Sequence, residues 1–122
     1  MARILLIDDD VQILRMLRHI LEDPEYEVVG APNGRVAMRL QRENPVDLVI
    51  TDIIMPEMEG IEVIIELRKQ YPDVKIIAMS GGGRMEPEGY LYMAKRIGAD
   101  RVFSKPFLPE ELLEAVEDLL SD

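Results

Sequence analysis

The chain has 122 residues, 48% of them hydrophobic, which is enough for one real core and too little length for two ordinary domains. The 14 Lys and Arg stand against 24 Asp and Glu, a formal charge of −10, so nucleic acid phosphates and anionic lipid are excluded as direct partners. With no cysteine and one histidine, His19, there can be no disulfide framework, thiolate zinc site or imidazole cluster, and any metal must be hard and oxygen-bound.

The first apolar run, Ile4 to Ile7, is too short for a signal peptide or a membrane span, so a cytosolic (cytoplasmic) chain without membrane contact is expected. It lacks polar alternation, the pattern of a parallel strand buried on both faces. Ile13, Leu14, Leu17, Ile20 and Leu21 follow at helical spacing, with Asp10 as N-cap and Asp23-Pro24 as the stop. Val28-Val29 predicts a second strand and Asn33-Gly34 a turn, after which Val36, Ala37 and Leu40 predict a helix closed by Asn44-Pro45. Leu48 to Ile50 predicts the third strand, and Ile61, Ile64, Ile65, Leu67 and Arg68 the third helix, stopped at Tyr71-Pro72. Ile76 to Met79 is the fourth strand; Leu91, Ala94 and Ile97 mark a fourth helix over 88–97, ended by Gly98. Val102-Phe103 is the fifth strand, and Leu112, Leu113, Val116, Leu119 and Leu120 mark a fifth helix opened by Pro109. No linker or repeat interrupts the pattern, so residues 1–122 read as one domain.

Regular βα alternation with right-handed crossovers gives a doubly wound α/β domain with a five-stranded parallel sheet, and sites on such sheets form at the carboxyl ends of the strands. Asp8, Asp9 and Asp10 follow the first run, Thr51 and Asp52 the third, Ser80 the fourth, and Ser104 and Lys105 the fifth. Only Gly30-Ala31-Pro32 follows the second, which places that strand at an edge and gives the order 2-1-3-4-5. Asp8, Asp9 and Asp52 then crowd together, and like charges so close raise one another's pKa or require a cation. Oxygen-only ligands suit Mg²⁺, with Mn²⁺ as a substitute, and such an ion shares its coordination with phosphate oxygens. Lys105 and Ser80 would meet the phosphoryl oxygens that the metal does not reach, while a carboxylate in line could accept the group. These residues alone do not choose Asp52 over Asp9 as that acceptor.

Ile-Asp-Asp-Asp at 7–10, Asp-Ile-Ile-Met-Pro-Glu-Met-Glu-Gly at 52–60, Met-Ser-Gly at 79–81 and Lys-Pro-Phe at 105–107 occur in order along essentially the whole chain. In this the chain resembles the receiver domain of two-component response regulators, of the stand-alone, chemotaxis-like type. The resemblance implies a flavodoxin-like (βα)5 fold, Asp52 as phosphoacceptor, Asp9 as a direct Mg²⁺ ligand and Asp8 as a second acid acting largely through water. It also implies the backbone carbonyl of Ile54 as a metal ligand, Ser80 before Gly81 as the switch hydroxyl, Lys105 as the partner of the phosphoryl group, and a cis peptide to Pro106. Implied partners are a sensor histidine kinase or histidine phosphotransfer protein, and an unnamed output partner on the face of the fourth helix, fifth strand and fifth helix. A homodimer through that face is a further partner the resemblance allows. Ile54 is apolar where faster family members carry a polar residue that orients the attacking water, so slow self-dephosphorylation is expected. Val102 stands where the family usually carries Tyr or Phe, whose ring swings inward with the switch hydroxyl; the glycine-rich stretch 81–89 is the candidate mobile element in its place.

Two other functions fit parts of the pattern. A Mg²⁺ phosphohydrolase of the haloacid dehalogenase type also uses an Asp nucleophile and a Lys, but it places a second Asp where Ile54 stands, so catalytic turnover is not expected. A degenerate receiver serving only as an interaction module is opposed by the intact Asp8, Asp9, Asp52, Ser80 and Lys105. Gly81-Gly82-Gly83 lacks the Lys-Ser/Thr of a phosphate loop. His19 falls on the periphery of the first helix, and Glu110, Glu111, Glu114, Glu117 and Asp118 read as the solvated face of the last.

Overall fold

Apolar strands that show no polar alternation must be covered on both faces, and in the computed structural model they are. The structure describes residues 1–53, 60–80 and 87–121, except for the side chains of residues 87, 88, 90 and 91. Strands and helices alternate as β1 (Ala2–Ile7), α1 (Val11–Ile20), β2 (Tyr26–Ala31), α2 (Gly34–Glu43) and β3 (Leu48–Asp52). They continue as α3 (Gly60–Gln70), β4 (Lys75–Ser80), α4 (Pro87–Ile97), β5 (Arg101–Ser104) and α5 (Pro109–Leu120). The five strands form one parallel sheet in the order β2-β1-β3-β4-β5, with β2 at the edge as the strand ends predict. No described helix is long and apolar enough to cross a membrane.

The pleat sends successive side chains to opposite faces. Leu5, Ile7, Val49, Ile76 and Ala78 point into one cluster, roofed by Ala37 and Met38 of α2, Val63, Ile64 and Leu67 of α3 and Ala94 of α4. Ile4, Leu6, Leu48, Ile50, Ile77 and Met79 point into the other, roofed by Leu17 of α1 and Leu112, Ala115 and Val116 of α5. Each fully buried Leu or Ile contributes about 1.5–3 kcal/mol over its exposed state, so the two layers hold the sheet without staples.

Local chemistry sets the element ends, with two refinements of the sequence pattern. Asn33-Gly34 is a helix start, not a free turn: Asn33 Oδ1 accepts the Val36 N–H at 2.9 Å, and Gly34 is already helical. The first helix stops at Ile20, before Asp23-Pro24 could break it, with Leu21 as its C-cap. Asp23 instead shapes the next turn, its carboxylate accepting the Glu25 N–H at 2.8 Å. Gly98 closes α4 at φ +129°, a conformation that only glycine adopts without strain.

Candidate functional site

Strand register brings the chemistry into one row. Ile7 pairs with Thr51, so Asp8 and Asp52, one residue further on, stand side by side on neighbouring strands. Asp52 pairs with Met79 and Ser80 with Ser104, which sets Ser80 and then Lys105 one step beyond. Of the buried polar residues described, Asp8, Thr51 and Ser80 all stand at this end of the sheet, and the fourth, Gln41, caps a turn by accepting the Val46 N–H.

The three acids differ in burial. Asp8 is 1% exposed, Asp52 is half-buried and Asp9 lies at the exposed rim. One carboxylate oxygen from each lies within 4.8 Å of the others. Lys105 Nζ stands 3.3 Å from Asp8 Oδ2 and 3.8 Å from Asp52 Oδ2, one cation facing two of the three acids. Burial pushes the Asp8 carboxyl above its ordinary value; the Asp10 N–H and the Lys105 ammonium oppose that push, and the Asp9 charge adds to it. Asp10 itself caps α1, accepting the Gln12 N–H at 2.9 Å while donating its own N–H to Asp8 Oδ1 at 2.9 Å. It therefore orients Asp8 and stays out of the acid cluster.

The backbone under Asp52 is tightly held. Thr51 Oγ1 donates to the Asp52 carbonyl at 2.8 Å, the Ile53 N–H donates to Met79 at 3.0 Å, and the Gly60 N–H donates to Ile53 at 2.7 Å. A Cβ at Gly60 would collide with the Asp52 carbonyl oxygen and the Ile53 Cα, so α3 can begin against the acidic strand end only because residue 60 is glycine. In the sequence Gly60 stands out only as the end of the 52–60 motif; a glycine opening an apolar helical period is the signal that points to this further role. Ser80 is 1% exposed, its Oγ has no hydrogen-bond partner among the described residues, and its carbonyl accepts the Lys105 N–H at 2.8 Å. The Lys105–Pro106 peptide is cis.

Ile54 and Gly81, with the rest of 54–59 and 81–86, lie outside the described residues. Val102 is half-buried against the cluster under α3 and α4, whereas Phe103 packs on the opposite cluster with its ring 5.9 Å from that of Phe107. His19 is exposed on α1, with Glu22 at 3.7 Å.

As chemistry, among the described residues three carboxylates stand against one ammonium, an excess of negative charge, part of it desolvated, that a hard divalent cation would neutralise. The donors are all oxygens, and the Ser80 hydroxyl, without a partner among the described residues, is a further polar atom that an acceptor would satisfy. Both features fit Mg²⁺ together with a phosphoryl group.

Comparison with known proteins agrees with the class that this fold and site define. The chain belongs to the response regulator receiver domain family, whose model matches residues 4–117. It is 39% identical over 115 residues to the chemotaxis protein CheY of Thermotoga maritima, covering 93% of each chain. It is 37% identical over 119 residues to the transcriptional regulatory protein SrrA of Staphylococcus aureus, covering 96% of this chain but 47% of that one. Among solved structures, a response regulator receiver domain protein from Clostridium thermocellum superposes with a TM-score of 0.88 at 30% identity, over 98% of this chain and 94% of that one.

Proposed function

We propose that residues 1–122 act as one receiver domain that takes a phosphoryl group onto Asp52 from the phosphohistidine of a sensor histidine kinase or a histidine phosphotransfer protein. The observation that carries this reading is the meeting of three carboxylates within 4.8 Å with a lysine 3.3 Å and 3.8 Å from two of them. An Asp52 carboxylate oxygen forms a bond to phosphorus as the phosphorus–nitrogen bond breaks, and that electron pair returns to the donor imidazole. The product on this chain is an acyl phosphate.

Asp8, Asp9 and Asp52, with the Ile54 carbonyl, would hold Mg²⁺ or Mn²⁺, which supplies positive charge to the phosphoryl oxygens. Lys105 offers its ammonium to the oxygens on the other side. Ser80 has no described partner to give up, so its hydroxyl gains a hydrogen bond when a phosphoryl oxygen arrives; a buried, unpaired polar group of this kind otherwise costs about 1–3 kcal/mol. The chain thus catalyses its own phosphorylation and, with the apolar Ile54 two residues after the acceptor in sequence, loses the group slowly, without acting as a turnover enzyme.

The switch acts on the surface of α4, β5 and α5, where an output partner or a second copy would bind. Near full-length similarity to CheY supports action by partner binding in the cytoplasm. With Val102 in place of an aromatic ring, Ser80 passes its movement to α4 through the segment that follows it.

Borohydride reduces an acyl phosphate to the alcohol, so treating the protein after acetyl phosphate and Mg²⁺ should convert residue 52 to homoserine, readable by peptide mass mapping. Homoserine at residue 9 in place of 52 would overturn the assignment of the acceptor.

A further inference from the structure

Arg68, in the last turn of α3, takes no part in the acidic site, yet it is the most heavily bonded side chain described. Its Nε donates to the Gly98 carbonyl at 2.9 Å, and its Nη1 donates to the carbonyls of Pro72 at 3.0 Å and Val74 at 2.5 Å. Its Nη2 meets Asp100 Oδ2 at 2.6 Å, and the same carboxylate oxygen accepts the Ile76 N–H at 2.8 Å. One planar fork therefore joins the end of α3, the start of β4 and the turn that follows α4. A lysine, with a compact charge and no such fork, could not reproduce this set.

Gly98 completes the clasp from the other side. A Cβ there would stand 2.6 Å from Arg68 Cγ, so the positive-φ turn and the arginine occupy space that no other residue would leave free. The turn is further fixed by the Ala99 N–H to Ala94 at 3.0 Å, the Asp100 N–H to Ile76 at 2.7 Å and Lys95 Nζ to the Asp100 carbonyl at 2.9 Å. Among the described side chains of α4, those turned inward are Ala94 and Ile97, both near this same end. α3 cannot slide to carry the clasp with it, because Val63, Ile64 and Leu67 are buried and its first residue abuts the Asp52 strand end.

The opposite end of α4 is connected through residues 81–86 to Ser80 in the site. Resting on the phosphoacceptor reading above, we infer that the Arg68 clasp is the fixed pivot of α4: a change at Ser80 moves the amino end of the helix while Ile97–Asp100 stay in place. A helix displaced at one end and held at the other rotates, so the exposed Tyr92, Met93 and Arg96 would be re-aimed, not translated.

Amide hydrogen exchange on the whole chain, with and without Mg²⁺ and beryllium fluoride as the phosphoryl mimic, tests this. In the wild type the mimic should change exchange in the first turns of α4 and leave the Ala99 and Asp100 amides unchanged. Without the mimic, Arg68→Lys and Gly98→Ala should each speed Ala99 and Asp100 exchange by about tenfold or more, leaving β1 and β3 amides as they were. Should Gly98→Ala unfold the chain, Arg68→Lys, which adds no atom to the turn, carries the comparison. Unaltered exchange in Arg68→Lys, or a wild-type response that includes Ala99 and Asp100, overturns the pivot alone. No response to beryllium fluoride anywhere overturns it together with the acceptor reading.

Discussion

At the amino ends of the strands, polar groups are matched: Arg68 meets Asp100 at 2.6 Å, Arg3 pairs with Glu27, and Asp47 accepts the Arg3 backbone N–H at 2.8 Å. At the carboxyl ends, 3.3 Å and 3.8 Å separate a single lysine from two of three clustered acids, and a buried serine hydroxyl has no described partner. The exception at the matched end is Arg3 Nε, buried without a described partner. The same sheet thus keeps its self-sufficient polar contacts at one end and its conflicts at the other. Conflict that the fold tolerates marks where a ligand is meant to complete the structure.

Substitutions can break this contrast at either end. The largest effect belongs to Gly60→Val, which drives a side chain into the Asp52 carbonyl and Ile53 Cα; urea unfolding should show a loss of about 3 kcal/mol or more. Next, Arg68→Met at the matched end should cost about 2 kcal/mol, because Asp100 and three carbonyls lose their donor together. Asp8→Asn at the conflicted end should act in the opposite direction. In metal-free buffer it should raise stability by about 1 kcal/mol, and Mg²⁺ should then raise Tm less than it does for the wild type. A destabilised Asp8→Asn protein would mean that the acids are already balanced.

The weakest effect is expected at Tyr26, at the edge of the matched end. Burial, reinforced by Glu117, Asp23 and Glu25, raises the Tyr26 hydroxyl above its ordinary 10.0. The folded chain then holds that proton more tightly than the unfolded one, so the contribution is present below pH 10.0 and is lost as pH rises beyond it. Thermal melts across that range should show the wild type losing more stability than Tyr26→Phe, and parallel losses would contradict the burial argument.

Much of this contrast is legible in the chain itself. The strand order follows from which apolar runs end in polar residues, because carboxyl ends gather at one edge and Gly30-Ala31-Pro32 offers no chemistry there. Asp10 as a cap follows from the preference of Asp before a helix, and the shared crevice of Asp8, Asp52 and Lys105 follows from parallel register. The difference in burial between Asp8 and Asp9 is not legible, since adjacent acids look alike until the strand's final pleat assigns one inward and one to the rim. Arg68 is the clearest loss: within its helix it reads as a surface cation, and its partners Gly98 and Asp100 lie 30 and 32 residues away, brought near only by the crossover between β4 and β5. Gly60 is similar, because its need to be glycine comes from a strand end that precedes it in the chain by several residues.

Under the proposed function, the conflicted end receives a phosphoryl group on Asp52. Incubation with acetyl phosphate and Mg²⁺ followed by intact-mass measurement should show one added phosphoryl group on the wild type and none on Asp52→Asn. An adduct retained by Asp52→Asn would rule out Asp52 as the acceptor, and none on the wild type would rule out phosphoryl transfer to this chain.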